Sequence, residues 1–170
     1  MDASISVFSL QTLYYWIVAF SIWEAIAIVF ILNVFHHKTV QEYYRRIPSW
    51  VTIGGDFLYS TLIFLTALGV YQYIPLVNKN VWLFVVIFIA TQWVYDITFA
   101  TIINRIPTYT RYIDYFQRYI KEVSFGAAIS DTVYLLGWLA VTWLLMKYVS
   151  IPIATFILVF MLFLWIIIAY

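Results

Sequence analysis

Residues 81–103 read VWLFVVIFIATQWVYDITFATII, and this stretch decides the fold class of the chain. Its one charged side chain is Asp96. A helix of about 20 mainly apolar residues is long enough to cross the hydrocarbon core of a bilayer. The stretch is therefore predicted to be a transmembrane helix.

The rest of the chain has the same character. Of its 170 residues, 65% are hydrophobic and 10% are charged, whereas soluble domains carry roughly 25% charged residues. Four further apolar segments are long enough to span a bilayer. We predict an all-α integral membrane protein forming a single transmembrane domain over residues 1–170. It is a five-transmembrane-helix bundle with spans at about 11–35, 50–74, 81–103, 125–148 and 151–170.

The distribution of basic residues predicts the orientation of this bundle. Seven basic residues lie in the loops between spans 1 and 2 and between spans 3 and 4, namely Lys38, Arg45, Arg46, Arg105, Arg111, Arg118 and Lys121. The opposite side has Lys79 and Lys147. Because loops rich in Lys and Arg stay in the cytoplasm, we expect the N-terminus outside and the C-terminus in the cytoplasm. No cleaved signal peptide is expected, since the first residues contain no basic region.

The loop between spans 3 and 4 has a helical pattern of its own over about residues 108–123. Its apolar side chains recur at helical spacing, at Tyr109, Tyr112, Ile113, Phe116, Ile120 and Val123. Such a pattern predicts an amphipathic helix lying in the cytoplasmic interface. We expect Arg105, Arg111, Arg118 and Lys121 at the same interface. The helix is either a plain connector on the membrane surface or a segment that docks a partner or senses lipid.

Four of the eight acidic residues lie inside apolar spans: Glu24, Asp56, Asp96 and Asp131. A charge in the bilayer is costly, so an acid within a span is a candidate functional residue. Helix rise places the three aspartates about 10 to 12 Å from the cytoplasmic ends of their spans, and Glu24 about 16 Å from its own. We therefore expect the aspartates at one level and Glu24 deeper.

Polar neighbours accompany these acids at helical spacing. Tyr59 and Ser60 lie one turn after Asp56, and Gln92 lies one turn before Asp96. Tyr95 and Tyr134 are further candidates for a supporting role beside the acids. Hydroxyl and amide groups at these offsets lower the cost of burying a carboxyl group.

The spans contain no Lys, Arg or His that could balance the four acids. Like charges at low dielectric disfavour ionisation, so we expect at least two of the four acids to be protonated at neutral pH. The alternatives are that they hold a cation, or that Arg105 or Lys121 reaches them from the cytoplasmic side.

These observations leave two classes of function open. In the first, Asp56, Asp96 and Asp131 form an ion or proton site with Glu24 as a relay, in a proton or cation channel or transporter. In the second, the acids hold the helices together by hydrogen bonds, and the protein is a structural or scaffold component of a membrane. Five spans make a small bundle, so a homo-oligomer with a site between copies is also open.

Enzymatic chemistry is the less favoured interpretation. Tyr95-Asp96 and Gly54-Gly55-Asp56 are similar to the motifs of intramembrane aspartyl proteases, but their order is reversed and the glycine spacing differs. The chain has no Cys, and its two His, at 36 and 37, are adjacent, so we expect no bound metal and no cofactor. A net charge of +1 predicts no nucleic-acid partner. The expected partners are the lipid bilayer and protons or cations.

Taken together, the motifs around the three aspartates resemble those of a known group of membrane proteins. They are Asp56-x-x-Tyr59, Gln92-x-x-x-Asp96, and Lys121-Glu122-Val123 followed by Ala128-Ile129-x-Asp131. Over about residues 53–135 the arrangement resembles uncharacterised small multi-pass membrane proteins of large double-stranded DNA viruses, the giant viruses of protists and algae. This resemblance implies location in a virion membrane or a host membrane, and it implies no particular activity.

Overall fold

The computed structural model describes residues 9–34, 38–47, 49–74, 80–123 and 125–169. His36, His37 and Lys79 lie outside the described residues. The described part of the chain is all-helical and forms seven helices, with no strand among them. They are α1 (Leu10–Asn33), α2 (Lys38–Arg46), α3 (Ser49–Tyr73), α4 (Val81–Ile103), α5 (Arg111–Val123), α6 (Phe125–Tyr148) and α7 (Ile151–Ala169).

Four of these helices, α1, α3, α4 and α6, are long and apolar enough to cross a membrane. The sequence predicted their limits to within about two residues, because an apolar run of membrane length ends where polar residues begin. Ser9 caps α1 by accepting from the Thr12 backbone N–H, and Asn80 caps α4 in the same way through Leu83. Side-chain oxygens at these positions satisfy amides that a helix start leaves unbonded.

An aromatic layer connects the long helices. The Trp16 ring of α1 is stacked between Phe64 of α3 and Trp138 of α6, with centroids 4.1 and 3.9 Å away. Phe88 of α4 meets Trp16 edge-on at 6.3 Å. Around this layer α1 packs against α6 and α7, and α3 packs against α4.

The two short polar helices, α2 and α5, contact each other at one end of the bundle, which we call the basic end. Arg118 donates to both carboxylate oxygens of Glu42 at 2.9 and 3.2 Å, and the Thr39 hydroxyl donates to Glu122. The Tyr43 and Tyr115 rings are stacked at 5.3 Å. Helix α2 was not expected, since its nine residues are polar and too short to give a signal as a span.

Helix α5 begins at Arg111, three residues later than the predicted start, and its buried face differs from the expected one. Tyr115 is its most buried side chain, and Tyr112, Phe116 and Tyr119 pack beside it against Tyr43. The predicted face omitted Tyr115 and Tyr119. The reason is that α5 packs on α2 as well as on the long helices, so a wider arc of its surface is covered.

Candidate functional site

The four acids lie on the basic-end side of the aromatic layer, each at nearly the same separation from it along its helix. Counted along the sequence, Glu24 is eight residues from Trp16, and Asp56 is eight from Phe64. Asp96 is eight residues from Phe88, and Asp131 is seven from Trp138. At 1.5 Å per residue, each acid is about 10 to 12 Å from the aromatic layer. We call the four residues the acid layer. Glu24 belongs to it and does not lie deeper, in contrast to the expectation from helix rise alone.

Glu24 is the most enclosed member of the acid layer, with 0% of its surface exposed. The Tyr134 hydroxyl of α6 donates to Oε2. The second oxygen, Oε1, is buried and accepts no hydrogen bond from the residues that the structure describes. The neighbouring Trp23 Nε1 is also buried without an acceptor there. Since buried polar atoms are nearly always bonded, an orphan oxygen on a carboxyl group requires an explanation.

Asp56 is covered by tyrosines of α2. Tyr43 Oη donates to Oδ1 at 2.9 Å, and Tyr44 Oη is 3.5 Å from Oδ2. Tyr44 also lies beside Glu24, so its hydroxyl is near two carboxyl groups. Burial, followed by the nearby charges of Glu24 and Asp56, raises the pKa of Tyr44 well above its usual value. The Tyr44 hydroxyl therefore keeps its proton and acts as a donor.

Asp96 is the acid with the longest chain of hydrogen bonds. Tyr59 Oη donates to Oδ1 at 2.8 Å, and Gln92 Nε2 donates to Oδ2. Gln92 Oε1 in turn accepts from the Thr132 hydroxyl of α6 at 2.7 Å. Through these contacts Asp96 is connected to α3 on one side and to α6 on the other.

Asp131 is partly buried and lies close enough to Asp96 for their charges to interact. On the side of α5 its neighbour is Tyr119. Burial is the main cause that raises the pKa of Tyr119 above its usual value, and the Asp131 charge is the next. This tyrosine is thus a third neutral hydroxyl group on the basic-end side of the acids.

The other residues predicted for the site are placed differently. Ser60 is buried, and the Tyr95 hydroxyl bonds Thr66 at 2.9 Å, so Tyr95 contacts Tyr59 by its ring and does not bond an acid. The basic residues predicted for the cytoplasmic interface, Arg105, Arg111 and Lys121, are exposed. The fourth, Arg118, pairs with Glu42 and Asp114.

No member of the acid layer forms an ion pair within the described ranges. The same residues also contain no group of three or more His, Cys, Asp or Glu placed to hold a metal ion. Neutral hydroxyl and amide groups donate instead to Glu24, Asp56 and Asp96.

Sequence reasoning missed the tyrosines that cover the acids from the basic end. Tyr43 and Tyr44 belong to α2, a helix that the hydropathy pattern does not predict. Tyr112 lies with its hydroxyl over Gly55. The sequence feature that indicates their burial is the pair of adjacent tyrosines in the polar segment KTVQEYYRR, because large aromatic side chains are usually at least partly buried.

Chemically, the arrangement combines carboxyl groups, which bind and release protons, with hydroxyl and amide groups, which accept and donate hydrogen bonds between them. It has the parts of a proton-exchanging network and also those of a set of interhelical hydrogen bonds.

Comparisons of this chain with protein-family models, with curated proteins and with solved structures found no match.

Proposed function

We propose that this chain is a five-span membrane protein whose acid layer binds protons or cations and passes them across the bundle. The fifth span is α7, whose 19 residues carry no charge and would be about 28 Å long. It is attached to α1 by the Tyr14–Thr155 hydroxyl bond and by Trp165 Nε1, which donates to the Ser21 carbonyl. In this proposal α5 lies in the cytoplasmic interface, as the excess of basic residues at this end favours.

The observation that supports ion binding is the orphan Oε1 of Glu24 within a layer of acids that has no basic counterpart among the described residues. Four ionised carboxylates in such a place would repel one another and lose their hydration. The layer must therefore hold protons or a cation. A carboxyl group that receives one hydrogen bond at Oε2 and none at Oε1 has room for a proton on Oε1.

Protons fit this layer better than metal ions do. The groups nearest to the carboxylates present donor hydrogens: the hydroxyls of Tyr43, Tyr44, Tyr59 and Tyr134, and the amide of Gln92. A cation needs oxygen acceptors around it, whereas a proton can exchange between a carboxyl group and a hydroxyl that is hydrogen-bonded to it. The Tyr44 hydroxyl adjoins two acids, since it lies 3.5 Å from Asp56 Oδ2 and beside Glu24.

Ion flux in proteoliposomes tests the proposal. With a potassium gradient and valinomycin providing the driving force, we expect wild-type protein to acidify the lumen, as measured with a trapped pH-sensitive dye. Glu24→Gln and Asp96→Asn should each lower this flux by about tenfold or more, because an amide cannot carry a proton. Asp114→Asn, which changes an acid on the surface of α5, is the matched control and should keep the flux.

Two results would contradict ion transport. The first is a wild-type flux of protons, sodium and potassium no greater than that of empty liposomes. The second is an unchanged flux in both amide variants, with the folding of each confirmed by its thermal unfolding profile.

A structural role is the second candidate, because the hydrogen bonds of the acids cross between helices. Tyr134 to Glu24 joins α6 to α1, and Tyr59 to Asp96 joins α3 to α4. This role would suit a scaffold protein of a viral membrane, the location that the motif resemblance implies.

For this candidate we expect Tyr59→Phe to lower the free energy of unfolding by about 1 kcal/mol, the usual size of an interhelical hydrogen bond in a membrane. Tyr73→Phe is the control, since Tyr73 is 87% exposed. Unfolding in mixed detergent micelles measures both variants. Equal free energies of unfolding for the two variants would show that the hydrogen bond from Tyr59 to Asp96 does not stabilise the fold.

A further inference from the structure

The acidic side chains at the basic end form ion pairs or hydrogen bonds with other residues of the protein. Outside the spans this end carries Glu42, Asp114 and Glu122. The first two bind Arg118, and Glu122 accepts from the Thr39 hydroxyl. Arg118 pairs with two of these three acids. The acids of this end are outnumbered by its seven basic residues, namely Lys38, Arg45, Arg46, Arg105, Arg111, Arg118 and Lys121.

Five basic side chains at this end are exposed: Lys38, Arg45, Arg105, Arg111 and Lys121. They lie on α2, in the connection after α4, and at both ends of α5. The opposite end of the described bundle differs, because its exposed Lys147 lies over the rings of Trp143 and Tyr148, at 4.9 and 5.1 Å. The uncompensated positive charge is thus concentrated on one rim.

Exposed apolar side chains alternate with these basic ones along the chain. Tyr109 is 80% exposed between Arg105 and Arg111, and Phe125 is 61% exposed four residues after Lys121. Apolar and aromatic side chains exposed beside Lys and Arg are typical of the boundary between acyl chains and headgroups. At such a boundary the groups that meet the basic residues are lipid phosphates.

We propose that the rim formed by Arg105, Arg111 and Lys121 binds the headgroups of anionic phospholipids in the surrounding bilayer. Charge complementarity selects this occupant, since a neutral zwitterionic headgroup would leave the excess charge unbalanced. A basic residue near an anionic membrane surface contributes on the order of a fivefold preference. The inference is independent of ion transport by the acid layer.

Lipid retention tests the proposal on the full-length protein. Protein purified in detergent is mixed with equal amounts of phosphatidylglycerol and phosphatidylcholine, and the lipids that stay bound are counted by native mass spectrometry. We expect wild type to retain phosphatidylglycerol over phosphatidylcholine. The triple variant Arg105→Gln, Arg111→Gln, Lys121→Gln should reduce that preference by about 100-fold if the contributions multiply. Lys147→Gln, an exposed lysine at the other end, should keep it.

The outcomes separate the possible sources of binding. An equal preference for phosphatidylglycerol in the wild type and the triple variant overturns the proposal, and so does an equal loss in Lys147→Gln. Glycerol phosphate is added as a soluble competitor at the same phosphate concentration. If it displaces the lipid completely, the site is one for free phosphate and the lipid assignment is wrong. Circular dichroism of the triple variant confirms that its helices are intact.

Discussion

Replacing Trp138 by alanine should lower the free energy of unfolding by about 3 kcal/mol. Trp138 is completely buried, its ring is stacked on Trp16, and its Nε1 donates to the Trp16 carbonyl at 2.9 Å. In a bilayer, lipid tails are as apolar as the protein interior, so helix association depends on close packing. The alanine variant leaves a cavity at the contact of α1, α3 and α6, and it leaves that carbonyl without this donor.

The control for this prediction is Trp82→Ala, which removes the same side chain from α4 where it is 75% exposed. Both variants are unfolded reversibly by sodium dodecyl sulfate in mixed micelles and followed by tryptophan fluorescence. We expect Trp82→Ala to unfold within about 0.5 kcal/mol of wild type, as surface substitutions usually do. A similar loss for both variants would mean that the aromatic layer does not hold the helices together.

The second large effect is expected at Gly137, where α6 passes under the Trp23 ring of α1. A methyl group added there would lie 2.0 Å from Trp23 Cζ2 and 2.5 Å from Cη2. These atoms belong to a rigid ring, so Gly137→Ala must displace the indole or move the helices apart. We expect a loss of about 1 to 3 kcal/mol, the usual cost of overpacking. We expect this net loss even though alanine is a better helix former than glycine by about 1 kcal/mol.

Gly69→Ala is the matched control, since a methyl group at Gly69 would meet no atom within 4 Å. It should be neutral or slightly stabilising, because only the helix propensity changes. The double variant Gly137→Ala, Trp23→Leu should be more stable than the sum of the two single changes predicts, because removing the ring removes the clash. Additive losses in this cycle would show that Gly137 and Trp23 are not in contact.

Much of the helical architecture could be predicted because hydropathy is a property of each segment alone. The apolar run containing Asp96 was assigned to residues 81–103, and α4 occupies Val81–Ile103. The acids were found for the same reason, since a carboxyl group among apolar residues is conspicuous without any knowledge of its neighbours. Helix α2 gave no such signal, since polar short helices depend on contacts to form.

Glu24 illustrates what segment-by-segment reasoning could not give. Counting from the predicted end of span 1 placed it deeper than the aspartates. In the structure α2 contacts both α1 and α3, so that Tyr44 lies beside both Glu24 and Asp56. Depth therefore depends on how the helices are shifted along their axes relative to one another. The stacking of Trp16 with Phe64 and Trp138 sets that shift.

The sequence by itself determined that the chain is helical, where its long apolar helices begin and end, and which acids lie within them. Only the tertiary structure decided which groups meet. It placed Tyr134 on Glu24, Tyr43 on Asp56 and Tyr59 on Asp96, and it left Glu24 Oε1 without a donor among the described residues. The physical reason is that the length and polarity of a helix are local properties. Its rotation, its axial shift and its choice of neighbours are fixed by side-chain packing between segments distant in the chain.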